Sequence, residues 1–207
     1  SIELFHWTHY NTACLTSTPL PSGLYIVHYA AIYGDLPLLD WHLAHHASML
    51  LQKTYDGRTI PTLALEHHQP KTFRWAIKHL PSLCTIPLPS GENIAHLSAK
   101  IGNPDCLFMI QSQLPKLLSQ TTSERHTVVY MAAKHQHLSV LNWLIIFQKD
   151  ILNKPLKPGY HLAHFAAKNG LVLLLEWVKK HLPEQLEILT PHSKSILHLA
   201  IEHDRHI

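Results

Sequence analysis

Small and bulky apolar residues return along this chain on a fixed step. Alanine or serine stands at Ala30, Ala64, Ser98, Ala132, Ala166 and Ala200, each 34 residues after the last. A large side chain keeps the same step at Trp7, Trp41, Trp75, Met109, Trp143 and Trp177. Polar and turn-forming positions run in phase with them. One ladder is His28, Thr62, His96, Tyr130, His164 and His198; another is Gly23, Gly57, Gly91, Arg125, Gly159 and Ser193. Four ladders in register over 207 residues identify a repeat protein.

Within one repeat the pattern predicts two helices, near 27–33 and 37–45. Leu38, Leu39, Trp41 and Leu43 share one helical face, which must be buried. The small Ala30 and Ala31 let neighbouring helices approach, and Gly34 permits a left-handed turn between the two helices. A lone repeat cannot cover its own apolar face, so stacking is obligatory. Proline recurs at Pro81, Pro115 and Pro183, where the second helix should end. Proline cannot continue a helix and steers the preceding residue away from helical dihedrals, so a slightly lengthened second helix stopped by proline is expected.

The stretches from Gly23 to Gly34 (GLYIVHYAAIYG), Gly91 to Gly102 (GENIAHLSAKIG) and Gly159 to Gly170 (GYHLAHFAAKNG) resemble the ankyrin core G-x-T-P-L-H-x-A-A-x-x-G. Asp56 and Gly57 keep its turn signature, and Ser195 to Ala200 its helix start. The tetratricopeptide pattern, which shares the period, is absent. The unit departs from the usual ankyrin repeat by one extra residue and by mostly replacing Thr-Pro. The resemblance implies an all-α, ankyrin-repeat α-solenoid of stacked helix-turn-helix units with short hairpin loops. It implies one domain over 1–207. Full repeats are expected at 23–56, 57–90, 91–124, 125–158 and 159–192, with partial repeats at 1–22 and 193–207. The phase of Trp7 puts a second helix in 1–15. Both ends fall mid-repeat, so the natural protein is expected to continue beyond them.

Composition narrows the class. Hydrophobic residues make up 46% and charged residues 15%, which excludes a disordered chain. A formal charge of +3 does not mark a nucleic-acid binder, so nucleic acid is disfavoured as a partner. No apolar run approaches the length of a membrane span, and no signal peptide is visible. The three cysteines, Cys14, Cys84 and Cys106, have no metal-type spacing and fit a reducing compartment. A cytoplasmic monomer is expected, or one secreted into a host cell. The 20 histidines are unusual, and protonation near pH 6 would make the surface distinctly basic.

No catalytic constellation appears: there is no G-x-S-x-G, P-loop or dinucleotide fingerprint. Neither an enzyme nor a cofactor is expected. His42, His45 and His46 share a helical face and form the sharpest metal candidate. They lack an acidic or cysteine partner, so no metal is expected. The tryptophans read as core packing. The resemblance implies structural roles for His28, His96, His164 and His198, whose rings would tie neighbouring repeats through backbone groups, and for Gly34, Gly102 and Gly170.

It also implies a contact surface on the concave side, at turn tips and the exposed ends of first helices. The candidates are Tyr33, Tyr55, Arg58, Glu92, Lys100, His126, Lys134, His135, Tyr160 and Lys168. Tyrosine and arginine are enriched in interface hot spots, and the lysines and histidines favour an acidic protein patch. The expected function is a protein-binding scaffold. A similarity to ankyrin proteins that intracellular bacteria inject into host cells implies an effector. The alternative is a substrate-recognition module for a catalytic domain outside this chain. Binding of nucleic acid or anionic lipid through the rim would have to depend on salt and pH. Calorimetric titration with zinc is expected to show no binding; a stoichiometric exotherm would reinstate the site at His42, His45 and His46.

Overall fold

The computed structural model describes residues 19, 20 and 23–203. Trp7, Cys14 and the helix expected in 1–15 lie outside the described residues. Helices come in pairs: α1 Ile26–Tyr33 with α2 Leu36–His45, α3 Ile60–Glu66 with α4 Pro70–His79, and α5 Ile94–Ile101 with α6 Pro104–Gln113. They continue with α7 Val128–Lys134 and α8 Leu138–Phe147, then α9 Leu162–Asn169 and α10 Val172–His181. The last described helix is α11, Ile196–Glu202. No strand occurs among the described residues, so the all-α reading holds.

The chain divides into two compact units. Of the described residues, one unit comprises those up to Leu97 with Met109–Leu117, and the other Ser98–Phe108 with those from Leu118. In the first, α1 packs on its partner α2 and on α3. In the second, α7 packs on α9, α9 on α11, and α8 on α10. First helices thus stack on first helices, and second helices on second. The alanine ladder makes this approach possible: Ala30, Ala64, Ser98, Ala132, Ala166 and Ala200 are all buried.

The glycine ladder has a conformational cause. Its members take positive φ, from 57° at Ser193 to 83° at Gly57, and Arg125 adopts it too, at 62°. A second set lies at the link between paired helices. Gly34, Gly102 and Gly170 share it with His68 and Gln136, at 55° and 57°. These links are roofed by the next repeat. A Cβ on Gly102 would lie 2.4 Å from His137 Nδ1, while His137 Nε2 donates to the Lys100 carbonyl at 2.9 Å. Gln69 does the same over Gly34, donating to the Ile32 carbonyl at 3.1 Å.

The prolines act differently from the sequence expectation. Each second helix has ten residues, and in these three repeats one leucine separates its end from the proline. Leu80 and Leu182 break the helix, at ψ 49° and 54°, and the proline then opens a separate one-turn helix. These turns are Pro81–Cys84, Pro115–Ser119 and Pro183–Leu186. Proline suits a first helical position because its missing N–H would be unpaired there anyway. The same turn forms without a leading proline at Ala47–Leu51 and Lys149–Leu152. Proline therefore starts a third short helix rather than lengthening and stopping the second.

Trp75, Trp143 and Trp177 are buried, as a core role requires. Their indoles reach back one repeat for an acceptor: Trp75 Nε1 donates to Asp40 at 2.6 Å, and Trp177 Nε1 to Asn142 at 2.7 Å. Phe108 holds the equivalent place for Trp143, whose Nε1 is buried without a partner.

Replacing Gly102 by alanine would add left-handed strain of about 1–2 kcal/mol and displace His137. Arg125→Gly relieves such strain and is expected to stabilise the protein by up to about 1 kcal/mol after the entropy cost of glycine. Urea denaturation followed by circular dichroism should move the two midpoints in opposite directions.

Candidate partner-binding clefts

Each repeat opens on a turn with a recurring hydrogen-bond pattern. Thr54 N–H donates to the Arg58 carbonyl at 3.0 Å, Arg58 N–H to Thr54 Oγ1 at 2.9 Å, and Gly57 N–H to the Thr54 carbonyl. Thr122 with His126, and Thr190 with Lys194, repeat it. The turn aims the residue after the left-handed position at the end of its own first helix, eight residues on.

A cleft opens there in three repeats. In the first unit it measures about 350 Å³, with Leu24, Ile32, Tyr55, Arg58, Leu63 and Glu66 in its lining. In the second unit one cleft of about 410 Å³ is lined by Tyr130, Leu156, Lys157, Tyr160, His164, Phe165, Lys168 and Asn169. Another, of about 260 Å³, involves Lys194, His198, Ile201 and Glu202. Arg58, Tyr160 and Lys194 occupy one repeat position; Glu66, Lys168 and Glu202 occupy another.

Their electrostatics differ. Arg58 pairs with Asp56 and donates to Glu66 at 2.7 Å, so its charge is neutralised inside the turn rather than tilting the rim basic. Lys194 donates to both oxygens of Glu202, at 2.6 and 2.8 Å. That hydrogen bond, with the lysine's charge, holds the Glu202 carboxyl below its usual range. The large cleft has no carboxylate in its lining. Its wall is aromatic: Tyr130 stacks on His126, centroids 3.9 Å apart, and meets Phe165 edge-on at 5.2 Å. Lys134 Nζ stands 6.0 Å from the Tyr130 centroid, within cation–π range.

The structure therefore brings Tyr160 and Lys168 into one cleft, and Tyr55 and Arg58 into another. Tyr33 and Tyr55 are largely exposed, at 74% and 76%. Lys100, Lys134 and His135 are exposed, and Glu92 and His126 half-buried. Neither Tyr33 nor these five residues line the three clefts. Sequence reasoning passed over Tyr130, Lys157 and Phe165 as binding residues. A usable signal existed for Tyr130, a large aromatic in a ladder that is otherwise histidine or threonine.

The ladder histidines fasten the first helices, and His28 and His164 do so within their own repeat rather than tying it to its neighbour as expected. Nδ1 accepts the N–H three residues earlier: from Tyr25 to His28 at 3.1 Å, Asn93 to His96 at 3.2 Å, His161 to His164 at 3.0 Å, and Ser195 to His198 at 3.3 Å. Nε2 of His28 donates to the Gln52 carbonyl at 3.1 Å, and that of His164 to the Ile188 carbonyl at 2.9 Å. Each of these two rings therefore accepts on one nitrogen and donates from the other, the neutral form. Burial pushes the His28 pKa below its ordinary value, against an opposing contribution from Gln52.

The histidine triplet at the end of α2, with His46 just beyond the helix, is an aromatic cluster. The rings of His42, His45 and His46 lie 5.1, 4.8 and 5.3 Å from Trp41. Among the described residues no group of three or more histidine, cysteine or acidic side chains could hold a metal ion. Cys84 and Cys106 are buried, and burial raises the Cys84 thiol to about 12. None of the described helices is long and apolar enough to cross a membrane.

No protein-family model and no curated protein matches the chain. Among solved structures, the chain is similar to the ankyrin repeat domain of Bcl-3, described as a unique member of the IkappaB protein family. The TM-score is 0.70 at 20% identity, covering 86% of this chain and 80% of that one. The likeness is one of fold.

Because His28 is held neutral in the folded state, the unfolded chain takes up its proton first as pH falls. The stability that His28 contributes is present above about pH 6.5 and is lost as the pH drops toward its lowered folded value. The urea midpoint should fall between about pH 7 and pH 5, and fall less in His28→Gln. Equal pH slopes for the two proteins would refute this.

Proposed function

We propose that this chain, which has the ankyrin-repeat fold, is a protein-binding scaffold whose partner seats on the faces built from turn tips and first helices. One observation carries the proposal. The same cleft recurs at one position of the repeat, neutralised by an internal ion pair in two copies and left aromatic and cationic in the third. Packing has no use for a solvent-facing pocket that lacks its counter-charge, but recognition does.

The exposed Tyr33 and Tyr55 add rigid contact area of the kind that dominates interfaces. Lys100, Lys134, His135 and Lys168 favour an acidic partner surface. The divergent motif and its resemblance to injected bacterial repeat proteins support a host protein as that partner.

The test is capture of partners from host lysate, quantified by mass spectrometry. Lys134→Glu combined with Lys168→Glu should reduce capture about tenfold or more with the circular dichroism spectrum unchanged. Lys71→Glu, at an exposed position of α4, should leave capture intact. Unchanged capture by the double variant would reject this face. Arg58→Glu is a poor probe, because it breaks the pairs with Asp56 and Glu66.

A further inference from the structure

We infer that the open cleft of the second unit binds an acidic side chain of a protein partner together with an adjacent apolar one. The inference rests on the scaffold reading above and specifies what one of its sites takes.

The chain supplies its own comparison. Where Arg58 faces Glu66, and Lys194 faces Glu202, a cation and a carboxylate pair in the lining of the cleft. At the corresponding positions of the large cleft stand Tyr160 and Lys168. A tyrosine replaces the cation and a lysine replaces the carboxylate, so the positive charge has moved to the helix end and no carboxylate faces it. A second ammonium is added at Lys157, the position held by Tyr55 in the first cleft. The nearby Glu202 acts on Lys168 only through space, since Lys194 holds both of its oxygens. Two ammonium groups therefore share a concavity that has no anion of its own, and the missing group is a carboxylate from outside.

The rest of the lining selects what accompanies that anion. Tyr130, Tyr160 and Phe165 offer aromatic faces, and Leu156 adds apolar lining. The Tyr130 and Tyr160 hydroxyls have no hydrogen bond among the described residues, so both can donate to an incoming oxygen. Aromatic surface beside an ammonium pair fits Asp or Glu next to Leu, Ile or Phe on an extended peptide. A nucleic-acid backbone fits less well. It requires a track of cations, whereas the other cleft of this unit is internally neutral and only lysines carry charge in this one.

Selection of random peptides of about twelve residues on the full chain tests the inference. Enriched peptides should carry an acidic residue beside an apolar one. A fluorescent copy should bind in anisotropy titrations. Exchanging the acid for its amide, or making Lys157→Glu with Lys168→Glu in the protein, should each weaken binding about tenfold or more. Lys168→Gln, which adds no charge, should weaken it less, and a peptide with Lys in place of the acid should regain affinity for the double variant.

Enriched peptides with no acidic preference would overturn the inference and leave the scaffold reading standing. So would acidic peptides that bind the double variant as well as the native chain. Failure to enrich any peptide would overturn both. A labelled oligonucleotide whose binding the double variant abolishes would reassign the cleft to phosphate and overturn the peptide assignment.

Discussion

A pair of helices this short cannot bury its own apolar face, and the rest of the structure follows from that shortfall. The remedy is close approach to the neighbouring pair, made possible by the buried alanine column from Ala30 to Ala200. Close approach brings backbone groups of adjoining repeats within hydrogen-bond range. Gln69 and His137 exploit this, each binding a carbonyl of the repeat before, at the ends of the first helices. Apolar burial supplies the drive, and these directional bonds fix the register between repeats.

Much of this was legible in the sequence, because periodic packing leaves a periodic trace. The alanine and tryptophan columns locate both helices of each pair to within a residue or two. The glycine column marks a left-handed turn, and even its exceptions, Arg125 and Ser193, keep the conformation. What escaped depends on geometry that the step does not encode. Proline is legible as a helix breaker, but whether it ends one helix or starts the next depends on the preceding residue. Leu80 and Leu182 take that break, leaving proline at the head of a new turn.

The candidate site was harder to read for a related reason. Arg58 looks like a free surface cation in sequence, because its partner Glu66 lies eight positions away, a distance that only the turn closes. Tyr130 sits in a column of structural histidines and threonines and so reads as part of the framework. The backbone makes one cleft repeatedly, and side-chain exchange at two positions decides whether its charge is neutralised from within or left unbalanced. Shape here belongs to the repeat, while charge belongs to the individual copy.

The roof over Gly102 has a consequence for how such a chain can change. His137 covers the left-handed Gly102 one 34-residue step and one residue earlier, as Gln69 covers Gly34, because both pairs follow the same step. Removing a single residue between them would slide every later column out of phase, whereas removing or copying a full 34-residue unit keeps each roof over a link. Length is therefore quantised. The molecule is free to grow or shrink by whole repeats, and nearly rigid against smaller edits within one.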